Sequence, residues 1–266
     1  MDRKWVWLFP LFFLAENALA WGLQTHLYFA GLLASAVPLS SPLLLRAIRR
    51  FPQRVLAGAC LPDLALVARS DHDNPLASTH HWPVATNWLH TAETDEERAL
   101  AIGFASHLLV DVIAHHQFVP WHEAHWYHIP VLTHALSELA MDAWVEQTYG
   151  TPRPAEILLP QIDAITPCLV RHFEIRPAEA RRSLRTLAQG DACLRATAIP
   201  QLTRRMARLM DTGHEQRLAF FAEATPAFQC YLDALICGLQ PRWHPDGPQA
   251  NAAWQPGLPV CLLHQP

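Results

Sequence analysis

His107, Asp111 and His115 recur every four residues within H-L-L-V-D-V-I-A-H, residues 107–115, inside an otherwise apolar run over 101–119. On an α-helix a four-residue step drifts by only about 40°, so all three side chains project from one face. An unpaired buried polar group costs about 1 to 3 kcal/mol, so two imidazoles and a carboxylate on one apolar helix need a common partner. A metal ion is one such partner; a satisfied core histidine beside a helix-capping Asp is the alternative for a single H-x-x-x-D. A second stripe shifts the balance: His134, Glu138 and Asp142 repeat the same spacing on a helix expected to begin near Val131. Imidazole and carboxylate donors without thiolate suit zinc or a similar transition metal. The six cysteines show no C-x-x-C spacing, which argues against a cysteine zinc site.

Other candidate ligands lie upstream. W-G-L-Q-T-H, residues 21–26, places His26 close behind Trp21. If Trp21 is the mature amino terminus, its amine, with an ordinary pKa near 8, can give up its last proton to a metal, and the adjacent carbonyl closes a chelate. A-G-A-C-L-P-D-L, residues 57–64, carries Asp63 behind Pro62, as a ligand or as the N-cap of the next helix. S-T-H-H-W, residues 78–82, offers His80 and His81, one of them a ligand and the other turned outward. His90 reads as a structural or supporting residue. The segment 117–130, with Pro120, Pro130 and four aromatic residues, reads as a loop.

Several features bear on the elements that must position these residues. Residues 1–20 have a short basic opening (Arg3, Lys4), an apolar centre and small residues at Ala18 and Ala20. That is the layout of a secretory signal peptide cleaved before Trp21, too short for a membrane span; an uncleaved anchor is the other reading. Twelve of the sixteen histidines precede residue 135, so the site is expected in the first half with the second half as scaffold. From Tyr149 onward, helices are expected over 154–165, 177–189, 192–211 and 215–239, with arginines at 181, 182, 185, 204, 205 and 208 forming a solvated face or, less expected, an anionic-lipid patch. No strand alternation is sustained. The expectation is an all-α fold: one multi-helix domain over 21–240 and an irregular tail over 241–266. A net charge of −4 gives no electrostatic clamp for nucleic acid. Export would permit disulfides, although Cys230 and Cys237, about 10 Å apart along a helix, cannot pair with each other.

Together these motifs resemble the zinc-dependent phospholipase C family, which shares a trinuclear zinc fold with the S1/P1 nucleases. The local wording at 22–26, 57–63, 78–82 and 106–115 is similar to that of the catalytic domain of glycosylphosphatidylinositol-specific phospholipase D. The resemblance covers about residues 21–142. It implies three zinc ions. One would be held by His107, Asp111 and either His80 or His81, with Asp63 as ligand or general base. A second would be bound by the Trp21 amine and carbonyl, His26 and the bridging Asp111. A third would take His134, Glu138 and His115, with His116 and His122 as alternatives because Gln117 occupies the position where many relatives carry histidine. It implies an exported phosphoesterase in which Asp63 and Asp111 are catalytic and a hydroxide shared between two zinc ions is the nucleophile. Phospholipid is the expected substrate, admitted past a rim of Trp82, Trp88, Trp121 and Trp126, with peripheral contact to a membrane. A single-strand nuclease and a non-catalytic metal-binding surface protein are the alternatives.

Overall fold

The computed structural model describes residues 22–68, 75–126, 130–229, 231–237 and 245. Among them every regular element is helical. In chain order these are α1 (Leu23–Ser35), α2 (Pro42–Arg50), α3 (Pro52–Gly58), α4 (Leu64–Ala68), α5 (Trp82–Thr91), α6 (Asp95–Ile113), α7 (Val119–His125), α8 (Pro130–Tyr149), α9 (Pro154–Leu158), α10 (Ile162–Phe173), α11 (Pro177–Arg195), α12 (Ile199–Met210), α13 (His214–Gln229) and α14 (Leu232–Ile236). Prolines at 42, 52, 83, 154, 177 and 200 sit in the first turns of their helices, where a missing N–H leaves no bond unmade. The proposed leader, Trp21 and the expected tail, apart from Pro245, lie outside the described residues.

Helix α6 is the axis of the molecule. Thr94 opens it with a capping box, its hydroxyl accepting from the Glu97 amide at 3.1 Å while the Glu97 carboxylate accepts from the Thr94 amide at 3.4 Å. Asp95, Glu96 and Glu97 place negative charge at the helix start, where the dipole favours it. Those carboxylates also gather the surrounding helices: Arg46 and Arg50 of α2 bind Asp95, Arg54 of α3 binds Glu96, and Arg171 of α10 binds Glu97. Beyond the first turn the helix is buried on all sides, as expected for an apolar helix with no polar face. With the turns that follow, it makes a run over Asp95–His125 long and apolar enough to cross a membrane, but almost all of it is enclosed by the fold.

The closest helix crossing is that of α3 on α6. A Cβ at Gly58 would meet the Leu100 carbonyl, and one at Gly103 would meet the Val55 carbonyl and the Ala59 amide. Backbone against backbone cannot give way as a flexible side chain can. The crossing also delivers the Ala59 carbonyl to His107, one turn beyond Gly103. Gly103→Ala is therefore expected to destabilise the protein by about 1 to 3 kcal/mol, measurable as a lowered urea midpoint, and to displace His107 from its backbone anchor.

The expected loop over 117–130 is mostly helical instead. Residues Ala114–Phe118 form a π turn, in which the Val119 amide donates to the Ala114 carbonyl, and α7 follows directly. Pro120 explains the widening. It has no N–H for the carbonyl four residues back, and its ring collides with that carbonyl in a regular helix; one inserted residue relieves both. Downstream boundaries shift as well. Gly190 is absorbed into α11, which runs to Arg195, and the expected single helix over 192–211 is broken before α12 because Pro200 cannot continue it. The segment expected as 154–165 divides at a 3-10 turn over Leu159–Gln161, and the one expected as 215–239 divides into α13 and α14. Cys60, Cys168, Cys193 and Cys237 are free thiols.

The tryptophans do not make the expected rim. Trp82, Trp88 and Trp126 are buried. Trp88 packs against Phe104, His172 and Phe173 in the core, and the face of Trp121 is covered by the Arg217 guanidinium at 3.1 Å. Indole bodies of this size contribute more by filling the core than by standing in water.

Candidate metal centre

Asp111, fully buried on α6, is the hub of the site. His26 Nε2 lies 3.1 Å from one of its oxygens, and His107 Nε2 lies 3.0 Å from the other. The two imidazoles stack, with centroids 3.5 Å apart and planes inclined by 10°. Two anchors hold α1 and α6 in this register. The Gln229 side-chain amide donates to the Phe29 carbonyl of α1 and to Ser106 Oγ of α6, at 3.1 and 2.7 Å. Asp142 of α8 grips the start of α1.

That second anchor departs from the expected ligand stripe. Asp142 does not face the site; it accepts the Thr25 amide at 2.9 Å, the Thr25 hydroxyl at 2.6 Å and the Gln24 amide at 3.4 Å. Gly22, at the N-cap of α1, has no side chain to satisfy these donors, so Asp142 supplies the cap from another helix. Its charge is balanced by buried Arg195 at 2.8 Å. The missing cap beside Gly22 is the sequence signal that a partner was needed, but nothing in the sequence names Asp142.

Asp63 and His80 approach the same point from the turns before α4 and α5. Thr79 ties these turns together by donating its hydroxyl to the Pro62 carbonyl at 2.5 Å. His80 Nε2 then lies 3.7 Å from Asp63, 3.6 Å from Asp111 and 3.3 Å from His107 Nε2. His81 is exposed at the N-cap of α5 and His90 is exposed at its end, so His80 is the member of the pair that joins the cluster. On the other side of the stripe, His115 and His134 lie 3.5 and 2.9 Å from Glu138. Three groups of donors therefore converge: His26, His107 and Asp111; Asp63, His80 and His107; His115, His134 and Glu138. Trp21, the remaining expected ligand, lies outside the described residues, directly before Gly22.

His122 belongs elsewhere. In an unbroken helix, seven residues turn through about 700°, which would set His122 beside His115; the residue inserted by the π turn rotates it away. Its Nδ1 donates to the Phe118 carbonyl at 2.7 Å, and its ring meets Trp126 and His214. Burial pushes His122 down to about 3 and His214 down to about 4, so both are neutral at physiological pH. His116 joins none of the three groups.

The donor chemistry fits cations. His107 Nδ1 donates to the Ala59 carbonyl at 2.7 Å, and His115 Nδ1 donates to the Pro245 carbonyl at 2.5 Å. In each ring Nε2 is thereby turned towards the carboxylates, as in histidines whose far nitrogen is oriented for metal binding. The facing oxygens of Asp111 and Glu138 are buried without hydrogen-bond donors. Lone pairs so placed require positive charge between them, either second ring protons or metal ions. The electrostatics agree. Burial pushes the Asp111 carboxyl up, but His107 and His26 more than offset it and hold it well below its ordinary value. Burial would lower His115, yet the carboxylate of Glu138, 3.5 Å away, and the charge of Asp111 raise it to about 10. Burial dominates at His80, which falls to about 3, and at Asp63, which rises to about 7.

The family model described as zinc dependent phospholipase C matches residues 25–178, from just before His26 to the start of α11. No curated protein and no solved structure matches the chain significantly. With more than half of its length matched, this chain belongs to the zinc-dependent phospholipase C family.

Proposed function

We propose that the protein is an exported phosphodiesterase that cleaves phospholipids on the glycerol side of the phosphate, with three zinc ions held by its three donor groups. The observation that carries this reading is the position of Asp111, with one oxygen facing His26 and the other facing His107, among three convergent groups of buried donors in a chain of this family. His80, His107 and Asp111 would hold one ion with Asp63 beside it, and His26 and Asp111, with the Trp21 amine, a second. His115, His134 and Glu138 would hold the third. Bound there, zinc supplies Lewis-acid chemistry, acidifying water and drawing charge from the phosphoryl oxygens. The chain's own part is proton handling and orientation. Asp63, buried 3.7 Å from His80 and 3.8 Å from His107, is placed to take the proton from the attacking water. The water oxygen forms its bond to phosphorus as the bond to the diacylglycerol oxygen breaks, and that oxygen leaves with a proton.

Membership of the zinc-dependent phospholipase C family favours lipid over nucleic acid as the substrate. Asp63→Asn is expected to lower kcat on phospholipid micelles by at least about a hundredfold while most of the zinc is retained. Hydrolysis at the wild-type rate would remove Asp63 from the mechanism. Cleavage of single-stranded DNA but not phospholipid by the zinc-loaded wild type would favour the nuclease. Export is checked by the mass of the mature chain, which should begin at Trp21.

A further inference from the structure

Four of the seven large apolar side chains that stand exposed among the described residues lie on one short helix. These are Leu202 (56 % exposed), Met206 (40 %), Leu209 (86 %) and Met210 (37 %) of α12, whereas Leu43, Tyr149 and Leu159 are scattered. The helix is inverted relative to an ordinary surface helix: it buries Pro200, Thr203 and Ala207 and turns its large apolar residues outward. Leu202, Met206 and Leu209, at i, i+4 and i+7, form one stripe about 10 Å long. Exposed Arg205 lies along one edge of it, and Arg204 and Arg208, further round the helix, are held by Glu215. An apolar stripe bordered by arginine is the pattern of a helix that lies in the headgroup region of a membrane, with guanidinium groups on the phosphates and the stripe among the acyl chains.

We infer that α12 is the surface by which the protein docks on a phospholipid bilayer. The inference rests on the phospholipase reading for its choice of partner and goes beyond it in assigning the contact to residues 199–210, outside the segment shared with the family. Phosphate headgroups match the basic edge of the stripe, and acyl chains match its centre. The buried face of the helix, with Ala207, packs on α8 at Ala140, so docking would set the helix that carries His134 and Glu138 one helix layer below the lipid surface.

The test compares the full-length mature protein with Leu202→Ser/Leu209→Ser and with Arg205→Glu, by sedimentation with phosphatidylcholine–phosphatidylglycerol vesicles and by hydrolysis of a short-chain phospholipid below its micellar concentration. The double substitution is expected to weaken vesicle binding by at least about 30-fold, and Arg205→Glu by about fivefold on anionic vesicles at low salt. Hydrolysis of the monomeric lipid should stay at the wild-type level, since these side chains project away from the fold. Undiminished vesicle binding by the double variant overturns the inference. So does a wild-type dimer that the double variant dissociates with no change in vesicle binding, which would make the stripe a self-association surface. Vesicle binding lost with the stripe in a protein that cleaves no phospholipid would leave the docking surface standing and remove the phospholipase reading; cleavage of monomers without any vesicle binding would do the reverse.

Discussion

Asp111→Asn is expected to remove zinc from the two donor groups around that residue while leaving the group of His115, His134 and Glu138 filled. Both oxygens of Asp111 face imidazole nitrogens, at 3.1 Å from His26 and 3.0 Å from His107, and neither has a hydrogen-bond donor. The amide of asparagine is isosteric, but one of its two heads is an N–H donor that cannot ligate a cation. That head can instead hydrogen-bond the imidazole opposite, so the fold is expected to survive. The consequence for activity is large, because the groups that lose metal include Asp63, the proposed proton acceptor, and the charge that stabilises the transition state; kcat should fall by at least about a thousandfold. Elemental mass spectrometry gives the zinc content per chain, and circular dichroism establishes that helicity is unchanged. A full zinc complement in the variant would rule out Asp111 as the shared ligand.

Arg195→Met should carry the largest cost in stability. The Arg195 side chain is buried and serves Asp142 at 2.8 Å, Asp191 at 2.9 Å and Glu146 at 3.2 Å. Methionine keeps much of the apolar stem but leaves buried carboxylates facing one another without a counter-ion, a change that costs about 3 to 5 kcal/mol. The loss has a pH signature. Burial already raises the Asp191 carboxyl in spite of Arg195, and losing the guanidinium moves it further above the ordinary range of carboxylates. Above their ordinary range the folded variant then holds protons that the unfolded chain has released, so stability falls as pH rises. The deficit relative to wild type should be greatest at neutral pH and shrink towards about pH 4. Urea unfolding at both pH values tests this; a deficit below about 1 kcal/mol at neutral pH would contradict the buried-charge account. Because Asp142 also caps α1, the variant should bind zinc less tightly at the group that includes His26.

The two ligand stripes were legible because their arithmetic is local. Spacing of four on an apolar helix sets side chains on one face whatever the remainder of the chain does; His107 and Asp111 of α6 fall in one donor group, and His115 of the π turn falls in another with His134 and Glu138 of α8. The same arithmetic failed at Asp142, whose partners Thr25 and Arg195 lie more than fifty residues away in sequence. It could not choose between His80 and His81, since the choice depends on where the turn held by Thr79 meets Pro62. Among His115, His116 and His122, the face argument favoured His115, which the structure places beside Glu138; the rotation of His122 away from that face follows from the π turn before Pro120. The aromatic rim was misplaced for a different reason: tryptophan is apolar enough to serve core and surface alike, and its environment is set by neighbours that composition does not reveal.

By itself, then, the sequence determined the helical character of the described chain, the family, and the residues on α6 and α8 that form the donor stripes, because helix period and apolar content act over a few turns. Only the tertiary structure decided which residues from separate turns complete the groups, which carboxylate became a clamp instead of a ligand, and which apolar residues were left facing outward. Those outcomes depend on backbone crossings such as Gly103 on Val55 and on buried charges that must find partners across the fold, and neither is encoded within a few turns of the residues concerned.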